Sequence, residues 1–200
     1  MSEEERYWLE KILSYLIILL QLSSCSTIIS AGAIAGNAST STRGFSGTIE
    51  DTYLMSKITA KISAMNLSNL TNINVSVNRG EVLLTGNIQS QEDRLDLIKK
   101  VWEVKEIRKI YNEVKVGESL SIIDKTEDII FETKIENRLL FEDGIYSNNY
   151  DVEVVDGNVY VMGIASSIEE KNKLENYLKT MNDIKRLILF ISIAKNEKKN

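Results

Sequence analysis

The sequence predicts an α+β protein made of two tandem copies of one small domain, each running helix, strand, strand, helix, strand. Three observations carry that prediction. The stretch Ile73 to Gly86 returns at Tyr150 to Gly163, with Val75, Val77, Gly80, Val82 and Gly86 recurring as Val152, Val154, Gly157, Val159 and Gly163 at a constant offset of 77 positions. The same offset, without a gap, pairs Leu54, Ile58 and Ile62 with Phe131, Ile135 and Leu139, and Ile107, Ile110, Val114 and Val116 with Ile184, Leu187, Ile191 and Ile193. Chance matches do not stay in register over about sixty positions. Within each copy, apolar spacing switches between the near-helical and the two-residue period that mark helices and strands.

Bulk composition bounds the function. The chain has 200 residues, 43% hydrophobic and 26% charged, with a net charge of −5, no histidine and one cysteine. Lack of histidine removes the usual general base and the commonest metal ligand, so no catalytic residue and no metal site is predicted. One cysteine excludes an internal disulfide. The acidic balance does not invite nucleic acid. Units of roughly 70 residues have small cores, so the two copies are expected to dock on each other.

In chain order, the first element is the apolar run Ile12 to Ser24, which at about 13 residues is too short to span a bilayer and suits an export signal, residues 1–24. Its n-region is unusual, because Glu3, Glu4, Glu5 and Glu10 outweigh Arg6 and Lys11. The junction Leu22-Ser23-Ser24-Cys25 resembles the bacterial lipobox, in which small residues precede a cysteine that is lipidated. That resemblance implies covalent lipid on Cys25 and anchorage in a membrane; an ordinary buried cysteine is the plainer alternative. Ser26 after the cysteine, by resemblance to enterobacterial sorting, points to the periplasmic face of the outer membrane. Residues 25–48, rich in Ser, Thr, Gly and Ala, read as a flexible tether or as a short membrane-hugging segment through Ile28, Ile29 and Ile34.

The first unit is assigned residues 49–117. Leu54, Ile58, Ile62 and Met65 give its first helix one apolar stripe, matched in the second unit by Phe131, Ile135 and Leu139. Val75 and Val77, like Val152 and Val154, alternate with polar neighbours as a half-buried strand does. Asp156-Gly157 is a strong two-residue hairpin turn and Arg79-Gly80 a weaker one. Second strands follow at Val82 to Thr85 and Val159 to Met162. Ser90 with Asp93, and Ser167 with Glu170, have N-cap spacing and start the second helices, whose buried faces are Leu97, Ile98, Val101 and Trp102, and Leu174, Tyr177, Leu178 and Met181. Third strands are expected over about 107–116 and 184–193. Residues 118–124 link the units, 125–194 form the second, and 195–200 are a charged tail.

The hairpin written Val-x-Val-x-x-Gly-x-Val-x-Leu-x-Gly, carried by Val75 to Gly86 and Val152 to Gly163 between a leading helix and a following helix and strand, resembles the BON domain. Two such domains behind a lipobox are similar to the dual-BON outer-membrane lipoproteins. The resemblance implies a three-stranded mixed sheet with two helices on one face. It also implies a non-enzymatic role in envelope integrity, with anionic phospholipid bound through the first helix of the second domain.

Register shows which residues of that helix are spare. Ile130, Lys134, Arg138 and Phe141 form a stripe beside the core stripe, where the first unit has Tyr53, Lys57, Lys61 and Ala64. A hydrophobic wedge with two cations suits a phospholipid interface, and equally a wider core or docking face. Residues 125–194 carry eight Lys and Arg against thirteen Asp and Glu, which opposes an anionic surface unless the carboxylates point away. Lys99, Lys100, Lys105, Arg108 and Lys109 are a second candidate, a basic patch for headgroups or an acidic partner, or simply a solvated face. The leading expectation is phospholipid binding by a lipid-anchored protein; the alternative is a membrane-tethered module that recruits or regulates an envelope protein.

Overall fold

The computed structural model describes residues 44–65, 73–118 and 120–194. Cys25, the export signal, residues 25–43 of the tether and the tail 195–200 lie outside the described residues. The first unit comprises α1 (Gly44–Ser63), β1 (Ile73–Asn78), β2 (Glu81–Ile88), α2 (Gln91–Trp102), β3 (Lys109–Asn112) and β4 (Lys115–Val116). The second comprises α3 (Ile122–Leu140), β5 (Tyr150–Val155), β6 (Asn158–Ala165), α4 (Ile168–Lys179) and β7 (Arg186–Ile193). This is the α+β arrangement of two tandem units, each with a mixed sheet.

In both units the hairpin is antiparallel, with Val77 opposite Val82 and Val154 opposite Val159. Its turn residues Arg79 (φ 50°) and Gly80 (φ 72°), or Asp156 (φ 52°) and Gly157 (φ 66°), are all left-handed, the geometry whose twist matches that of the strands. The last strand then pairs parallel to the middle one, β3 with β2 and β7 with β6. Val75 and Val77 of β1 and Val152 and Val154 of β5 face the helices. Val77, Val82 and Leu84 close one core with Ile58, Leu97 and Val101; Val154, Val159 and Val161 close the other with Ile135, Leu139, Leu174 and Leu178. Gly163 is required by close approach, since a Cβ there would sit 2.2 Å from the Asn149 carbonyl oxygen.

Four details differ from expectation. Helix α1 starts at Gly44, inside the stretch read as tether. Helix α3 starts at Ile122, inside the stretch read as linker, because Ser121 and Asp124 form a reciprocal capping box that nucleates the helix there. The third strand of the first unit is broken into β3 and β4: Asn112 Oδ1 accepts from the Val114 N–H at 3.2 Å, diverting the backbone, while Glu113 keeps its bond to Leu84 O. Trp102 is half exposed instead of buried. It ends α2 at about 100° from Val101, and Val104, in the following turn, fills the place against the sheet.

The sheet faces turned away from the helices meet each other. Leu83 of β2 and Val155, Tyr160 and Met162 of the second unit form a third buried cluster, joined by Tyr111, Leu120, Ile188 and Phe190. The rings of Tyr111 and Phe190 lie 4.2 Å apart between centroids. Strand β1 meets β6 and β2 meets β5, so equivalent surfaces face each other much as in a symmetric dimer.

Candidate functional site

Helix α3 is held to its sheet along one side by apolar and polar ties. Ile135 and Leu139 are fully buried, and Phe131 packs against the same core. On the same side Asp128 accepts the Asp156 and Gly157 N–H groups at 2.7 and 2.9 Å, and Glu132 accepts the Val154 N–H at 3.0 Å. The first unit repeats the turn anchor: Asp51 accepts from Arg79 and Gly80 N–H at 2.9 and 3.1 Å. This pair of aspartates, 77 positions apart, was legible in the repeat yet escaped the sequence reading.

The opposite side of α3 is bare. Ile122, Ile123, Ile129, Ile130, Leu140 and Phe141 are between 57% and 85% exposed. At roughly 100° per residue they fall, with Thr126, Thr133, Asn137 and Lys134, within an arc of about 140° that contains no carboxylate. Glu127 and Glu136 border it. The two threonine hydroxyls donate to the Ile122 and Ile129 carbonyls of their own helix, which satisfies them and leaves their methyl groups on the outer surface. An exposed apolar face of this extent marks an interaction surface.

Of the four residues singled out from sequence, Ile130 and Phe141 lie on this face, Phe141 as the C-cap just beyond the last helical residue. Lys134 is at its rim, bonded to Asp183 at 2.8 Å and 5.8 Å above the Phe131 ring. That bond holds the Asp183 carboxyl below its ordinary range. Arg138 is exposed, farther round the helix. The sequence reading missed Ile122, Ile123, Ile129 and Leu140; the Ile-Ile pair repeated seven residues later puts both pairs on one face and was the available clue.

Many acidic residues of the second unit are turned elsewhere. Asp128 and Glu132 tie the helix to the hairpin. Glu153 bonds Asn74 of the first unit at 2.8 Å, and burial pushes its carboxyl up to about 7, with Glu132 adding repulsion. Asp156 lies between Lys185 at 2.9 Å and Lys115 at 3.6 Å. Glu170 is buried and receives the Tyr146 N–H, the Tyr150 hydroxyl and both donors of Ser166. Burial pushes its carboxyl up, but these donors outweigh that and leave it below the ordinary value. Asp128, Glu132 and Glu153 line a cleft of about 350 Å³ between the units, with Lys125 and Asn87 beside them.

On the corresponding face of α1 Tyr53 is exposed like Ile130, but the later part is small and polar, with Ser56, Ala60, Ser63 and Ala64 exposed where α3 has Thr133, Asn137, Leu140 and Phe141. The basic residues singled out in the first unit are partly engaged. Lys99 pairs with Asp96 and Lys100 with Glu103, which also binds Lys61. Lys109 lies 4.3 Å above the Tyr111 ring, Lys105 is exposed, and Arg108 lines a separate cleft. Among the described residues no group of three His, Cys, Asp or Glu is placed to hold a metal, and no helix is long and apolar enough to cross a membrane.

Comparison with known proteins bears on this architecture. A protein of Anaplasma centrale, described as an uncharacterized protein in the gshII 5' region, is 30% identical over 146 residues, 72% of this chain and 95% of that protein. Two solved structures of CdsD, a structural protein of the Type III secretion system of Chlamydia trachomatis, one of them its C-terminal domain, are similar at 16% identity over 70% of this chain. The chain spans 60% and 64% of those two chains, with a TM-score of 0.28 to each. The family model described as BON domain matches twice, at residues 50–118 and 128–195, together more than half of the sequence. The chain therefore belongs to the BON domain family, with two copies of the domain in tandem.

Proposed function

We propose that this is a lipid-anchored, non-enzymatic protein of the bacterial outer membrane, facing the periplasm. In this reading its second BON domain lays the outer face of α3 on anionic phospholipid and so supports envelope integrity. Family membership points coarsely to a membrane- or phospholipid-associated role. The observation that carries the finer reading is the face itself: six large hydrophobic side chains exposed along α3, with no carboxylate among them. Such a helix lies in the headgroup boundary, its apolar residues inserted, with Lys134 at the rim and Arg138 farther round the helix reaching toward phosphates. Cys25, carrying lipid, would hold the domains close enough for that weak insertion to matter. Nothing covalent or catalytic is asked of the protein beyond the anchor.

Sedimentation of the full-length chain with phosphatidylethanolamine and phosphatidylglycerol vesicles tests this. Ile130→Asn with Phe141→Asn is expected to abolish most binding by a Cys25→Ser chain, and Lys134→Glu with Arg138→Glu to weaken it in a salt-dependent way. Equal binding by all three variants would remove the proposed face. The pairing of Lys134 with Asp183 favours a second reading, because it reduces the positive charge offered to lipid. There the same face recognises an apolar groove on an envelope protein, and a stable partner captured together with no vesicle binding would select it.

A further inference from the structure

The two hairpin turns meet the opposite unit in equivalent ways but with opposite chemistry. In the second unit the turn residue Asp156 is a carboxylate clasped by Lys185, from the segment before β7, and by Lys115 of the other unit. Moving back 77 positions exchanges Asp156 for Arg79 and Lys185 for Arg108, while moving Lys115 forward gives Ser192. The backbone around the site is otherwise the same: Arg108 N–H donates to Gly80 O at 2.8 Å as Lys185 N–H does to Gly157 O at 3.0 Å. The stem of Arg108 also crosses Gly80 as that of Lys185 crosses Gly157. One site thus contains its own anion between two cations. The other has two guanidinium groups and no carboxylate in the place of Asp156.

Arg79 and Arg108 line one cleft of about 150 Å³ between the units, closed on the far side by Ser192 and Phe190. Asn78 also lines it; this side chain is only 5% exposed, and its Nδ2 has no hydrogen-bond partner. In the second unit the same position is Val155, an apolar residue, so the amide is not required by the fold. An unpaired buried donor is unfavourable, and an acceptor entering the cleft would relieve it. Glu81 lines the cleft too, but its carboxylate already accepts the Tyr111 hydroxyl at 2.8 Å. We infer that this cleft between the units binds a small phosphate-type oxyanion, which takes the place of the Asp156 carboxylate. Arg79 and Arg108 would grip it, and Asn78 and Ser192 would donate to it. Guanidinium forks match the geometry of phosphate oxygens, and the site spans both units, so the anion would also bridge them.

Titration calorimetry of the full-length chain at low ionic strength, with inorganic phosphate and glycerol 3-phosphate, tests this independently of α3. The intact chain is expected to bind with millimolar or better affinity. Arg79→Asp copies Asp156 at a left-handed position that aspartate tolerates, so it is expected to fold, pair with Arg108 and lose at least about tenfold in affinity. Arg108→Gln provides a second variant with the same expected loss. Lys105→Glu, a charge reversal outside the cleft, is expected to stay within about twofold. Phosphatidic acid vesicles, offered to the Ile130→Asn, Phe141→Asn chain, separate the sources: Arg79-dependent binding of vesicles alone identifies a lipid headgroup, and binding of the free anions a soluble phosphate. The inference is overturned if neither probe binds in an Arg79-dependent way, or if Lys105→Glu costs as much as Arg79→Asp.

Discussion

Asp51 and Asp128 each receive two backbone N–H groups of a hairpin turn, so each first helix is tied to its sheet by a carboxylate as well as by apolar packing. Asp128→Ala leaves those donors without their acceptor and is expected to lower stability by about 1–3 kcal/mol, measured as a shift of the urea midpoint. Asp128→Asn, which keeps an acceptor oxygen, should recover part of it. Glu153 makes a prediction of the opposite sign. Its carboxyl, raised from 4.5 to about 7 by burial and by Glu132, binds a proton more readily in the folded state. Stability therefore falls as pH rises from about 4.5 to about 7, and Glu153→Gln is expected to remove that slope, raising the urea midpoint at pH 8 but not at pH 4. The loss at stake is on the order of 3 kcal/mol. Neither role was legible beforehand. Asp51 and Asp128 were visible as a repeated identity, but only the fold shows that an acid in a helix faces a turn about thirty residues away. Glu153 alternates with core valines exactly as a solvent-facing strand residue would, and only the second sheet lying on that face buries it.

At the scale of elements, α3 departs from α1 on the side that does not touch the sheet, and that is where function is placed. Ile130→Asn with Phe141→Asn removes exposed apolar surface, so folding stability is expected to change by no more than about 0.5 kcal/mol. Burial of two such side chains in the headgroup region is worth about 1.5–3 kcal/mol each, so vesicle affinity should drop by at least tenfold. A large fall in melting temperature without a fall in vesicle binding would mean that the face is structural. The helices, hairpins and core stripes could be read from sequence because period and register are local properties, as with Phe131, Ile135 and Leu139 or Val152 and Val154. The breadth of the exposed face could not. Ile129 and Ile122 have the composition of core residues, and their exposure depends on α3 meeting only one sheet. The break between β3 and β4 was hidden because Asn112 acts through a hydrogen bond to its own neighbour, whereas the third strand of the second unit, with the same apolar spacing, runs unbroken.

For the whole molecule, two small cores are joined by a third buried cluster between the sheets, with Tyr160 at its centre. Tyr160→Ala is expected to cost about 3 kcal/mol and to split one cooperative unfolding transition into two, resolved by calorimetry. This joining leaves the helices of both units on the outside, so that α3 can present a broad apolar face where α1 has Tyr53 and, toward its end, small side chains. The repeat supplies its own control for that claim, because Ile130 of α3 and Tyr53 of α1 are equivalent and both exposed. The most direct measurement is the accessibility of a nitroxide placed at either position, as Ile130→Cys or Tyr53→Cys in a full-length Cys25→Ser background, with anionic vesicles present. The label at 130 is expected to become exposed to dissolved oxygen and shielded from a water-soluble nickel complex, while the label at 53 stays in water. Equal shielding at the two positions, or none at either, would contradict this expectation.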